Sequence, residues 1–90
     1  MSHAYTVYIT ETAKKELAAV PLIYRWAIVK KIAALAANPY PMGVTKLHGS
    51  LKLFRIRHAD YRIIYEIQGQ QLIVQVVKIG HRKEVYRKVA

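Results

Sequence analysis

The run from Phe54 to Ile79 limits most strongly what this chain can fold into. Three stretches rich in β-branched and aromatic residues follow one another: Phe54-Arg55-Ile56-Arg57, Tyr61 to Ile67, and Leu72 to Ile79. Short polar turns separate them, His58-Ala59-Asp60 and Gln68-Gly69-Gln70-Gln71. Strands joined by turns this short pair antiparallel, so the run predicts a three-stranded meander. With Ala59-Asp60 as a two-residue turn, His58 faces Tyr61, Arg57 faces Arg62 and Phe54 faces Tyr65. Directly opposed residues share a face of a sheet. Arg55, Arg57 and Arg62 therefore project from one face, with Ile64, Ile73 and Val77. Phe54, Ile56, Ile63 and Tyr65 project from the other, with Val74 and Val76 behind them if Gly69-Gln70 is the next turn. A one-residue slip would turn a strand over.

The apolar face needs a cover, and the first half of the chain supplies one. Tyr5 to Thr10 alternates and reads as a strand. Thr10 or Thr12 can cap a helix, with Glu11 near its positive end. Ala13, Leu17 and Val20 fall on one helix face, and Lys14, Lys15 and Glu16 point away from it. Pro21 suits the start of a second helix running to about Ala37, with Ile28, Val29, Ile32, Leu35 and Ala36 in one arc. Trp26 lies at the edge of that stripe and reads as packing. Asn38-Pro39-Tyr40-Pro41-Met42-Gly43 stops the helix, and Val44 to Gly49 is an irregular approach to the sheet. The expected fold is α+β: an N-terminal strand and an αα-hairpin packed on one face of a small antiparallel sheet, one domain over residues 1–90.

Composition narrows the partners. Ninety residues suffice for one modest core. Fifteen Lys and Arg face five Asp and Glu, a formal charge of +10, so polyanions are attracted and nucleic acid leads as partner. An acidic protein partner is compatible with that. There is no cysteine, which fits a reducing cytoplasm, and no apolar run of the ~18 residues that a membrane span needs.

From Lys46 onward, ten Lys and Arg meet only Asp60, Glu66 and Glu84. Arg57 opposite Arg62 is a like-charge pair that folding does not require, and a bridging phosphate would relieve it. Histidine at position 81 can move protons near neutrality, Arg82 follows it, and Tyr86 can stack on a base. No acid pair, nucleophile triad, phosphate loop or metal-spaced cluster is evident, so no metal or cofactor is expected. RNA cleavage by its own 2′-hydroxyl suits such equipment.

Several motifs carry a family resemblance: Lys46-Leu47-His48-Gly49, Phe54-Arg55-Ile56-Arg57, Asp60-Tyr61-Arg62-Ile63-Ile64-Tyr65, Ile79-Gly80-His81-Arg82 and Glu84-Val85-Tyr86. In order and spacing the chain resembles the RelE family of bacterial toxins, in the RelE/ParE superfamily. The resemblance implies a ribosome-dependent endoribonuclease that cuts mRNA in the ribosomal A site. It also implies a cognate antitoxin and oligomerisation through that antitoxin. Arg62 and Arg82 match family arginines that stabilise charge at the scissile phosphate, and Tyr86 matches a tyrosine that orients the target nucleotide. Arg55 and Arg57 stand where the best-known member has lysines. Arginine is a poor base, so the resemblance passes proton abstraction to His81, with Lys46 as a further phosphate contact. The alternatives are a ParE-like toxin that poisons DNA gyrase, and a homologue that binds antitoxin or nucleic acid and cuts nothing.

Overall fold

Thr10 decides where the first strand becomes the first helix. Its Oγ1 accepts a hydrogen bond from Ala13 N at 3.1 Å, satisfying one of the orphan amides of a helix start. In the computed structural model, which describes residues 4–49 and 52–81, the elements run β1 Thr6–Ile9, α1 Glu11–Ala19, α2 Leu22–Ala34, β2 Thr45–Lys46, β3 Leu53–His58, β4 Tyr61–Gln68 and β5 Ile73–His81. Pro21 stands at the N-cap of α2. The end of α1 has no basic residue of its own, but Arg25 reaches back from α2. Its Nη2 donates to Ala18 O at 2.8 Å and to Val20 O at 3.0 Å. Beyond Ala34 the helix tightens: Leu35, Ala36 and Ala37 donate three residues back. That accounts for the earlier end than the sequence pattern suggests.

The strands form one mixed sheet in the order β1-β5-β4-β3-β2. The meander is present, and β3 pairs with β4 in the register that the two-residue turn dictates: Phe54 opposite Tyr65, Arg57 opposite Arg62, His58 opposite Tyr61. β1 joins the sheet at the edge of β5 and runs parallel to it, with Thr6 opposite Ile73 and Ile9 opposite Val76. The short β2 adds an edge strand beside β3.

The core lies between the helices and the sheet. Ala13, Val20, Ile28, Ile32 and Leu35 meet Ile56, Ile63, Tyr65, Val74, Val76 and Ile79. The Tyr65 hydroxyl donates to Pro39 O at 2.7 Å, tying the loop after α2 to the sheet. Trp26 departs from the sequence reading. It is 68% exposed, with Lys30 Nζ 5.7 Å from its ring centre. The side chain stands outside the stripe that Ile28, Ile32 and Leu35 bury.

β5 holds two further departures. The turn before it spans four residues, Gly69 to Leu72, and Gln68 pairs with Ile73. Then a bulge shifts the pairing by one residue: Tyr65 lies opposite Val76, but Ile64 lies opposite Lys78. Without the shift, Arg62 would oppose Ile79. With it, Ile79 joins the core opposite Ile63, and Gly80 stands beside Arg62.

The far half of β5 outruns β1. Thr10 N bonds Val76 O at 3.0 Å, and α1 then takes over the line of the strand. Glu16, read from sequence as pointing away from the helix's apolar face, turns to this exposed edge. Its Oε1 accepts from Ile79 N at 3.0 Å, and its carboxylate pairs with the buried Lys78.

Candidate nucleic-acid interface

Strand alternation builds the site. Arg55 and Arg57 of β3 and Arg62 of β4 project from the face opposite the helices, with Ile64 between them as the partner of Arg55. Arg57 faces Arg62 directly. Arg57 is exposed, Arg55 is half-buried, and Arg62 is only 9% exposed. Among the described residues neither Arg57 nor Arg62 has a carboxylate partner, and Arg62 Nε is buried without a hydrogen-bond partner. A buried donor left unmade costs about 1–3 kcal/mol. An anion arriving at Arg62 would remove that cost, and the glycine beside it on β5 places no side chain in the way.

Three acids of the described residues bond to groups other than Arg57 and Arg62. Glu11 pairs with Lys14 and Glu16 with Lys78, while Glu66 accepts from Gln68 Nε2 at 2.6 Å. Thr45 on β2 lies opposite Arg55, and its Oγ1 accepts from Arg55 Nη2 at 3.2 Å. That contact holds the guanidinium over the sheet. The sequence offered no sign of it beyond a threonine in an irregular segment.

Other candidates separate from this face. Lys46 lies opposite Phe54, so it projects from the helix side at the sheet edge and is exposed. His81 lies opposite Tyr61, and their rings meet edge-on at 5.9 Å, again on the helix side but at the rim. The register thus brings Arg55, Arg57 and Arg62 together and sets His81 across the strand from them. Arg82 and Tyr86 lie outside the described residues. A separate pocket of about 270 Å³ lies between the end of α2, the loop at Met42 and β3. There Lys31 Nζ donates to Arg57 O at 2.7 Å and covers a carbonyl at the open edge of β3.

Comparison with known proteins places this architecture. The family model described as ParE toxin of type II toxin-antitoxin system matches residues 7–86. Toxin RelG of Mycobacterium tuberculosis is 28% identical over 85 residues, covering 93% of this chain and 98% of the relative. Toxin RelE of the same organism is 31% identical over 86 residues, covering 94% of this chain and 89% of the relative. Among solved structures, the archaeal RelE-RelB complex from Pyrococcus horikoshii OT3 aligns with a TM-score of 0.79 at 26% identity, over 91% of this chain and 99% of that one. With a family match across most of its length and a relative above 30% identity, the chain belongs to the RelE family of the RelE/ParE toxins of type II toxin–antitoxin systems.

Proposed function

We propose that this toxin is a ribosome-dependent mRNA endoribonuclease that cuts in the A site, held in check by a cognate antitoxin. The observation that carries the reading is Arg62: a buried guanidinium with an unpartnered Nε, opposed by Arg57 and flanked by a glycine. In the reaction the RNA's 2′-oxygen loses its proton and attacks the adjacent phosphorus, the bond from phosphorus to the 5′-oxygen breaks, and the leaving 5′-oxygen takes up a proton. The products are a 2′,3′-cyclic phosphate and a 5′-hydroxyl. Charge grows on the non-bridging oxygens in between, where the guanidinium groups of Arg62, Arg57 and Arg55 stabilise it. Arg82 and Tyr86 complete the set by family resemblance, as a charge-stabilising group and a nucleotide-orienting ring.

The 2′-proton must leave to a group other than arginine, whose pKa lies above ~12. The family resemblance passes that role to His81. With its ring on the Tyr61 side of β5, it meets RNA only round the end of the sheet. Lys46, at the opposite edge, serves as a phosphate contact for the flanking strand. The antitoxin role rests on the family and on the charge of +10, which an acidic wrapping segment would neutralise. The site of action is accordingly the cytoplasm.

The matching family model carries the ParE name, so gyrase poisoning is the second reading. Replacing Arg62 by Gln separates the two. The expected result is loss of translational arrest in a protein that still unfolds cooperatively, at a temperature no lower than wild type because the buried unmade donor and the like-charge pair are gone, and no effect of either protein on gyrase supercoiling. A folded Arg62→Gln protein that still arrests translation at the wild-type level would overturn the assignment of Arg62.

A further inference from the structure

Beyond the arginines, the end of the sheet carries a second group of side chains that the proposed chemistry leaves largely unused. Four rings form a chain there: His58 to Tyr24 at 6.3 Å, Tyr24 to Tyr61 at 5.7 Å, and Tyr61 to His81 at 5.9 Å between centroids. They come from the end of β3, the start of α2, the start of β4 and the end of β5. The interplanar angles are 63°, 45° and 79°, so none of these contacts is a parallel stack. Tyr24 is 37% exposed, and the other three rings are half-buried.

The position of the cluster gives it meaning. His58 directly follows Arg57 and Tyr61 directly precedes Arg62, so each ring projects from the opposite face to its neighbouring guanidinium. The strand end thus presents two arginines on one side and aromatic rings on the other, one residue apart. A nucleotide has the same polarity, with its phosphate and its base on opposite sides of the sugar. Sites for single-stranded nucleic acid combine a basic track with rings on which bases stack, because every base has a π-face. Continuity with the arginine face and the charge of +10 favour RNA over an apolar protein segment as occupant.

We propose that the Tyr24–His58–Tyr61–His81 corner stacks one unpaired RNA base adjoining the phosphates held by Arg57 and Arg62. This rests on the nuclease reading above and adds a base-binding site to it. Tyr24 is the residue to vary, since it is the most exposed ring and lies on a helix surface.

The test is fluorescence anisotropy of the full chain with a labelled all-deoxy 12-mer, which lacks the 2′-hydroxyl and is not cut, over a series of salt concentrations. Tyr24→Leu is expected to weaken binding at least about fivefold with the salt slope unchanged, and Tyr24→Phe to bind as wild type. An abasic position scanned along the 12-mer is expected to cost wild type a similar factor at one position and to cost Tyr24→Leu nothing further there. Equal binding by Tyr24→Leu, or an abasic penalty of equal size in both proteins, overturns the base-stacking site. Arg57→Gln serves as the reference: it is expected to lower the salt slope. A Tyr24→Leu effect missing while the Arg57→Gln effect is present sinks the stacking corner alone. Both effects missing sinks the nucleic-acid reading with it.

Discussion

Glu16 joins α1 to the far half of β5, and its removal is the sharpest test of how this fold is held. The carboxylate pairs with Lys78, and the two side chains are 18% and 8% exposed. It also accepts the Ile79 amide at 3.0 Å. Breaking a buried pair by deleting one partner costs about 3–5 kcal/mol, because the remaining charge stays in a poorly solvated place. Glu16 is the more exposed partner and water can partly replace it, so Glu16→Ala is expected near the lower bound, ~3 kcal/mol. Domains are stable by only ~5–15 kcal/mol, so the loss is a large fraction of the total. With a urea slope of ~1 kcal/mol/M the midpoint falls by about 3 M. Glu16→Gln keeps an acceptor for Ile79 and should lose less. The double variant Glu16→Leu/Lys78→Met should recover to within about 1 kcal/mol of wild type, since well-packed apolar replacements of a buried pair are often neutral. A Glu16→Ala midpoint within experimental error of wild type would show that the Glu16–Lys78 pair does not hold α1 to β5.

Two further expectations concern single groups. Burial, and secondarily the nearby Tyr40, push the Tyr65 phenol well above its ordinary value of about 10. The stability contributed by its neutral form is present below pH ~10 and lost as pH rises above that, because the unfolded chain then ionises while the folded one resists. Tyr65→Phe should therefore cost about 1 kcal/mol at pH 8, through the lost bond to Pro39 O, and the gap to wild type should shrink by pH 10.5 in thermal unfolding. Ala59 opens the β3–β4 turn at φ 53°, in the left-handed region, so Ala59→Gly should raise stability by up to about 1 kcal/mol in urea unfolding.

The arginine face was legible because two residues of turn leave β3 and β4 a single register, and side-chain alternation does the rest. β5 was less so. Its entry turn places Leu72 at φ 55°, a conformation that leucine does not advertise, and a bulge then changes which residues face which. That bulge sets Gly80 beside Arg62 and His81 beside Tyr61, so the sequence could nominate His81 as a candidate base without locating its face. The roles of Glu16 and Thr45 depend on partners 63 and 10 positions away, which no local pattern encodes. Arg25 could have been suspected as a helix-ending cation, but its carbonyl targets belong to the preceding helix.

A-site cleavage by this toxin is proposed to depend on the ribosome and on the arginine face. The direct measurement is primer extension on the mRNA of a programmed ribosome after addition of the protein, with the same RNA free in a parallel reaction. The expected result is a new 5′ end inside the A-site codon, absent from free RNA and absent with Arg62→Gln. Intact mRNA in both reactions, with translation proceeding, would contradict it.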